Sequence, residues 1–208
     1  MAFATFDSTT WPQGIIQLLD DHHLVVLSDN PRARHQFSHT LSQHLSAISD
    51  TQVVSIDGKD ATNLSSFCRQ IEHRLAAGEA GSIGGANEVN TWWRDIHSVI
   101  EALRRNSSGP KRRYFIWNDA DVMLEADVDL FCRLVNALLG VAAECEHVSL
   151  DPVMLQRVVF LGGNKLGAYA EDQSGQFCRW LEDEEDSPFW EVASVVTRPP
   201  VLTYRIDG

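Results

Sequence analysis

A short apolar strand that leads directly into a helix is the feature that most constrains the fold of this chain. Residues 24–27 read Leu-Val-Val-Leu, and a helical pattern begins a few residues later. Asn30 is suited to cap a helix and Pro31 to occupy its first position, so we predict a helix from there to about residue 49. The apolar face of this helix comprises Phe37, Leu41, Leu45 and Ile48. A strand joined directly to an amphipathic helix is typical of a parallel α/β sheet, in which helices connect neighbouring strands.

The same alternation continues to the end of the chain. Apolar and β-branched runs predict further strands at residues 51–58, 114–117, 158–161, 192–196 and 200–206. Helical patterns fall between them at residues 61–77, 89–105 and 128–141, and around Phe177, Trp180 and Leu181. We therefore expect an α/β fold, a three-layer sandwich with a mainly parallel sheet.

The length of 208 residues suits one domain, which we assign to residues 1–208. Residues 1–23 are predicted to form a leading segment that contains a short helix from Trp11. The glycine-rich residues 78–88 lie between two helical patterns and are predicted to be a flexible connector. Residues 182–188 are predicted to be an acidic loop.

Charge and cysteine usage exclude several classes of function. The net charge of −12 argues against direct binding to nucleic acid, which requires clustered Lys and Arg. The four cysteines form no C-x-x-C pair, so we expect buried thiols and no zinc site. No basic segment followed by an apolar one opens the chain, and no run approaches the roughly 20 apolar residues of a membrane span. We expect a cytoplasmic protein without a membrane partner.

Polar side chains follow three of the predicted strands. The turn after Leu27 contains Asn30, Arg32, Arg34 and His35; Asn118 and Asp119 follow Trp117; and Asn164 follows Leu161. Because ligand sites of open α/β sheets collect at the carboxyl ends of the strands, these residues form the predicted site.

The order of these three strand ends, with a helix between each pair, resembles the core of the additional-strand P-loop ATPases, in particular the AAA+ class. Within that class the chain is most similar to the bacterial replication initiator and its short regulatory homologues. The resemblance covers roughly residues 20–170 and implies a bacterial protein with a P-loop-NTPase-like sheet.

A working phosphate-binding loop reads G-x-x-x-x-G-K-[ST], whereas this chain reads S-D-N-P-R-A-R-H from Ser28 to His35. By the resemblance, Ser28 and Ala33 replace the two glycines. Pro31 lies inside the loop and lacks the N–H that could contact a phosphate. Arg34 replaces the lysine, and His35 replaces the hydroxyl residue that holds Mg²⁺.

The second family motif is altered as well. The resemblance places Asn118 and Asp119 at two acidic positions, of which the first holds the metal and the second polarises water. Asn164 matches a polar sensor residue of the family. We see no arginine finger, and residues 197–208 are too short for a helical lid. These losses predict a catalytically inactive domain without a cofactor, in which Asp119 is a vestige of the catalytic position.

The function predicted from these features is that of an adaptor or regulatory subunit that binds another protein. Trp117 is predicted to be in the core, whereas Trp92, Trp93, Phe189 and Trp190 are the candidate partner-binding residues. The alternative is an AAA+-like factor in DNA replication or DNA handling that binds ATP and Mg²⁺. A third class is an unrelated enzyme that uses Asp119 and Asp121. The oligomeric state stays open.

Two alternatives concern metals. His35 and His39 lie one helical turn apart and could share an ion, but no carboxylate or cysteine follows at ligand spacing, which favours surface histidines. Asp119, Asp121 and Asp127 could form an acidic metal site, but a helix cap and a solvated loop explain them more simply. We therefore predict no metal.

Overall fold

The computed structural model describes residues 4–5, 11–78, 110–146, 154–172 and 201–206. Six strands are present in this part of the chain: β1 (Ala4–Thr5), β2 (His23–Leu27), β3 (Thr51–Asp57), β4 (Arg112–Asn118), β5 (Leu155–Gly162) and β6 (Val201–Arg205). The helices of the same ranges are α1 (Trp11–Asp21), α2 (Pro31–Ser46), α3 (Leu64–Gly78), α4 (Asp121–Ala126), α5 (Val128–Cys145) and α6 (Asn164–Asp172).

The strands form one sheet in the order β1-β6-β2-β5-β4-β3, and every pair of neighbours is parallel. This confirms the predicted α/β class and parallel sheet. Because all strands run the same way, the carboxyl ends of β2, β4 and β5 lie along one edge of the sheet.

Helices cover both faces of the sheet, as the three-layer prediction requires. Alternate residues of the central strands point to opposite faces, since the side-chain period of a strand is two. Leu24, Val26, Tyr114 and Ile116 pack in the layer with α1 and α2. Val25, Leu27, Phe115 and Trp117 pack in the other layer with α3, α5 and α6.

Trp117 lies in the core, as predicted, and among the described residues it is the largest fully buried side chain. It organises the second layer. Its ring centroid lies 4.9 Å from that of Phe67 on α3, 5.4 Å from that of Phe131 on α5 and 6.0 Å from that of Phe160 on β5. Aromatic contacts at these separations stabilise a core beyond their buried area. They fix α3 and α5 against the strands whose ends carry the predicted site.

Most predicted elements are present, with shifts at their ends. Helix α2 begins at Pro31 with Asn30 as its cap, as predicted, but it ends at Ser46 instead of about residue 49. Helices α4 and α6 follow β4 and β5 and were not predicted, because runs of six and nine residues are too short to show a clear helical periodicity. The strand at 192–196, the helices at 89–105 and around Phe177, and the acidic loop at 182–188 lie outside the described residues. So does the connector at 78–88, apart from Gly78 at the end of α3.

None of the helices in the described ranges is both long enough and apolar enough to cross a lipid bilayer.

Gly58 lets the chain leaving β3 pass close to the end of β4. Its backbone N–H donates to the carbonyl of Asn118 at 2.8 Å, and a Cβ added to Gly58 would lie 2.1 Å from the carbonyl oxygen of Asp119. A contact that short with backbone cannot be relieved by a rotamer change. The turn after β3 therefore holds the turn after β4 in place.

We expect the Gly58→Ala variant to lower the free energy of unfolding by about 3 kcal/mol, because the added methyl group must displace the backbone at Asp119. Gly14→Ala is the matched control, since a Cβ at Gly14 on α1 meets nothing within 4 Å. The control is expected to gain up to about 1 kcal/mol from helix propensity. Denaturant unfolding of both variants tests this, and equal stability of the two would contradict the close approach.

Candidate functional site at the carboxyl edge of the sheet

Several backbone donors at the start of α2 are bonded within the turn between β2 and α2. The Asn30 side-chain oxygen accepts from the N–H groups of Arg32 at 3.0 Å and Ala33 at 3.4 Å. The Asn30 N–H donates to the Ser28 hydroxyl at 3.2 Å, and the Arg34 N–H donates to the Asn30 carbonyl at 3.1 Å. Pro31 has no N–H. The donors that the start of a helix usually offers to an anion are therefore engaged or absent.

Arg34 joins this turn to the end of β4. Its Nε and Nη2 atoms donate to Oδ1 of Asp119 at 3.1 and 2.8 Å. Its Nη1 atom donates to the Ser28 carbonyl at 2.5 Å. The Arg34 and Asp119 side chains are only 13% and 15% exposed, so solvent screens this ion pair far less than it screens a surface pair.

Asp119 also receives a second cation. Nζ of Lys59, in the turn after β3, lies 3.2 Å from Oδ2 of Asp119. Burial alone would raise the pKa of the Asp119 carboxyl, but the hydrogen bonds from Arg34 and Lys59 and their positive charges outweigh burial, and the pKa is lowered. Asp119 has a φ of 46°, a left-handed conformation that Asp and Asn adopt more readily than most residues.

Asn118 is bonded to the neighbouring strand β3. Its Nδ2 atom donates to the Ser55 hydroxyl at 3.2 Å and to the Ile56 carbonyl at 3.3 Å, both on β3. The residue that the resemblance places at the metal position therefore links two neighbouring strands. A neutral amide used in this way supplies no carboxylate to a hard cation such as Mg²⁺.

The end of β5 is tied to both neighbouring turns. The Ser28 N–H donates to the Gly162 carbonyl at 3.1 Å, and the Ala120 N–H donates to the Leu161 carbonyl at 2.8 Å. Asp121, at the start of α4, accepts from the Gly163 N–H at 3.0 Å through Oδ2. The three strand ends are thus joined by direct hydrogen bonds.

A cavity of about 360 Å³ lies beside the Arg34–Asp119 ion pair, between α2, α3 and the ends of β3 and β4. We call it the basic pocket; its lining includes Arg34, Ser38, His39, Lys59, Arg74 and Asp119. Of the residues predicted from the sequence, Arg34, His35, Asn118 and Asp119 line it. Arg32 and Asn164 are exposed and are not among its lining residues.

Sequence reasoning missed Ser38, Lys59 and Arg74, and it considered His39 only as a metal ligand. Ser38 and His39 follow His35 on one side of α2, and Lys59 follows the Asp57-Gly58 turn. The spacing of His35, Ser38 and His39 was a weak sign that they share a site, because steps of three and four residues place side chains on one helical face. The candidate partner residues Trp92, Trp93, Phe189 and Trp190 lie outside the described residues.

The metal alternatives find little support in the described ranges. No group of three or more His, Cys, Asp or Glu side chains comes together there in a way that could hold an ion. Asp127 caps α5 by accepting from the Leu130 N–H at 2.9 Å, which confirms the cap interpretation for that residue. Asp119 lies in an ion pair and not in a solvated loop, which corrects the simpler interpretation of that residue.

No family model matches this chain, and no curated protein matches it either. Its class therefore rests on the fold and the site: a parallel α/β protein whose strand ends are joined by internal hydrogen bonds and one shared carboxylate.

We expect Asp119→Asn to lower the free energy of unfolding by about 1–3 kcal/mol at neutral pH, because it removes a hydrogen-bonded, half-buried charge. Asn keeps the side-chain shape and tolerates the left-handed backbone. Because the folded state lowers the pKa of Asp119, its stabilising effect is present above the unfolded pKa of about 3.9 and is lost as the pH falls through the folded value. The difference between wild type and variant should therefore be full above about pH 5 and shrink below about pH 4.

The matched control is Glu125→Gln, which removes a carboxylate paired with Lys165 at 2.7 Å in a more exposed setting. An exposed pair of this kind contributes at most about 1 kcal/mol. Unfolding of the three proteins by urea between pH 3 and 7 measures the effect. A larger loss for Glu125→Gln than for Asp119→Asn would contradict the dominant role of the buried pair.

Proposed function

We propose that this chain is a P-loop-NTPase-like domain that neither binds nor hydrolyses nucleotide and that acts as an adaptor or regulatory subunit by binding another protein. The observation that carries the proposal is the set of internal hydrogen bonds at the start of α2. In a nucleotide-binding loop these backbone donors face the phosphates. Here Asn30 occupies those of Arg32 and Ala33, and Pro31 offers none.

The Arg34–Asp119 pair works in the same direction. For Arg34 to reach a phosphate it would have to leave Asp119, and the half-buried carboxylate would then face the negative phosphate with one fewer cation. Breaking a hydrogen bond to a charged group costs about 1.5–3 kcal/mol, and the repulsion adds to this cost. Since Lys59 is also directed at Asp119, the two cations nearest the mouth stabilise this carboxylate in place of a ligand.

The scaffold supports kinship with the additional-strand ATPases. Strand β5 lies between β2, which precedes the degenerate loop, and β4, which precedes Asn118 and Asp119. An inserted strand at that place is the feature after which those ATPases are called additional-strand. The proposal thus combines a sheet suited to nucleotide binding with a carboxyl edge that lacks the groups needed to bind a nucleotide.

A scaffold without its chemical groups can still act through its surfaces, and the short regulatory homologues that the sequence resembles suggest such a role. The proposed contacts are aromatic, because Trp and Tyr side chains supply a large share of binding energy at protein interfaces. Trp92 and Trp190 are the first candidates, with Trp93 and Phe189 beside them in the sequence. The proposed activity is binding and not turnover.

ATP provides the first test. We expect no rise in the thermal midpoint with 5 mM ATP, with or without Mg²⁺, because a ligand stabilises a fold only if it binds the native state. We also expect no release of inorganic phosphate. A rise that disappears in Arg34→Ala but remains in the matched variant Arg32→Ala would refute the proposal and favour the ATP-binding alternative.

Partner binding provides the second test. A partner is first identified by affinity purification from the native cell, and its dissociation constant is then measured with the purified chain. Arg34→Ala is expected to retain this constant within about twofold, whereas Trp92→Ala or Trp190→Ala should weaken it by more than about tenfold, as loss of an interface anchor does. Strong weakening by Arg34→Ala alone would contradict the proposal, and thermal midpoints of the variants control for misfolding.

A further inference from the structure

We propose that the outer edge of β3 binds an extended acidic segment of a partner protein, which adds a strand to the sheet. The inference rests on the proposed protein-binding function and gives it a surface within the described residues. Strand β3 stands at the end of the sheet, and among the strands of the described ranges it pairs with β4 alone. An outer edge of this kind can accept a further strand through main-chain hydrogen bonds.

Alternate residues of β3 direct their backbone groups toward β4 or away from it. The Arg112 N–H donates to the Asp50 carbonyl at 3.1 Å. The Gly58 N–H donates across the same pair of strands at 2.8 Å. The even-numbered residues therefore face β4, and the odd-numbered residues face outward, because backbone groups alternate along a strand. The outward N–H and C=O groups belong to Thr51, Val53, Ser55 and Asp57.

A side chain of α3 already occupies one end of this edge. The Asp57 N–H donates to Oε1 of Gln70 at 2.8 Å, and Nε2 of Gln70 donates to the Asp57 carbonyl at 2.9 Å. The Gln70 amide thus makes the two bonds that a neighbouring strand would make at this residue. The outward backbone groups of Thr51, Val53 and Ser55 bond to no residue of the described ranges. The open stretch is therefore residues 51–55, and Gln70 determines where it ends.

The open stretch lacks the features that usually prevent strand addition. Edge strands are commonly protected by charged side chains, by proline or by a bulge. Residues 51–56 read Thr-Gln-Val-Val-Ser-Ile, without a charge or a proline. Their pairing with β4 continues without interruption from Thr51 to Asp57, so the strand carries no bulge. It offers a regular row of donors and acceptors to an extended peptide.

The helices on both sides of β3 favour an acidic occupant. Helices α2 and α3 lie on opposite faces of the sheet, and both contact β3. Together they contain four arginines and one glutamate, in a chain of net charge −12. Arg34 is paired with Asp119, whereas Arg69 and Arg74 are exposed and form no ion pair within the described residues. Arg74 lines the basic pocket beside Ser55 and is therefore close to the edge. A local cationic excess attracts acidic segments.

A second copy of this chain fits the same edge less well. Pairing two β3 edges would bring α2 and α3 of one copy beside the same arginine-bearing helices of the other, and like charges repel. A segment rich in Asp and Glu has the opposite effect, because its carboxylates lie near the arginines while its backbone bonds to residues 51–55. The binding groups are backbone atoms of β3 and do not include the loop at residues 28–35, Asn118 or Asp119.

Amide hydrogen exchange of the full chain, followed by NMR, tests this surface. Without a ligand, the Val53 and Ser55 amides are expected to exchange at least about tenfold faster than those of Val54 and Ile56, which face β4. The probe is a capped synthetic peptide of about ten residues in which glutamate alternates with valine. It should slow exchange at Val53 and Ser55 at least about fivefold and leave Asp57, which Gln70 already protects, unchanged.

Two peptides and two variants are the controls. The same peptide with methylated backbone nitrogens should not bind, because it cannot donate to the edge. A peptide with lysine in place of glutamate should bind at least about tenfold more weakly, and added salt should weaken binding of the glutamate peptide. Arg69→Gln combined with Arg74→Gln should weaken that binding at least about fivefold. Arg133→Gln, at an exposed position of α5, is the matched control and should change it less than about twofold.

Equal binding of the glutamate and lysine peptides, or no protection of Val53 and Ser55 by either, would overturn the proposal. Slow exchange of these two amides without peptide would overturn it as well, because the edge would then be covered by the chain itself or by a second copy, which sedimentation distinguishes.

A partner protein, once purified, separates this inference from the adaptor function. Val53→Pro removes an outward N–H and leaves the bonds to β4 in place, as proline does on edge strands. We expect it to weaken partner binding at least about tenfold at an unchanged thermal midpoint. Unchanged partner affinity in this variant would refute the inference and leave the adaptor function standing. If no partner is found although the glutamate peptide binds as expected, the adaptor function fails and the edge remains a site for acidic segments.

Discussion

The ion pair between Arg34 and Asp119 is the interaction on which the arrangement of the site depends. It joins the first turn of α2 to the end of β4, two points 85 residues apart in the chain. The same guanidinium holds the Ser28 carbonyl, so one side chain connects the turn after β2 with the turn after β4. Because the pair is largely shielded from water, its attraction is stronger than that of a surface pair. Loss of Arg34 would leave the shielded Asp119 carboxylate with one cation fewer.

Backbone hydrogen bonds also join the turns that follow the strands. The Ser28 and Ala120 N–H groups both donate to carbonyls at the end of β5, and Gly58 donates to Asn118. The turns after four strands are therefore held by direct contacts within the protein. A nucleotide-binding edge requires the opposite condition, in which backbone donors and a carboxylate are left open for the phosphates and the metal. In this chain the donors at the start of α2 and the Asp119 carboxylate are bonded within the protein.

The shared carboxylate also explains why a cavity beside it is cationic. Two positive side chains converge on Asp119, and neither has a second carboxylate as a partner in the described ranges. Their excess charge faces the space between α2 and α3, where Arg74 and the Ser38 hydroxyl also lie. The direct bonding between the strand ends and the cationic character of the neighbouring pocket are thus two results of one arrangement.

Local patterns were enough to determine the parallel α/β class, the burial of Trp117 and the Asn30 cap, because each depends on residues close together in the chain. The sequence also placed Arg34 and Asp119 at the same edge of the sheet, since carboxyl ends of parallel strands must meet there. It could not show that these two side chains bind each other, that Asn118 turns toward β3, or that Ser38, Lys59 and Arg74 line one cavity. Those contacts depend on strand order and on the packing of α2 and α3, which join residues distant in sequence and are decided only when the whole sheet is assembled.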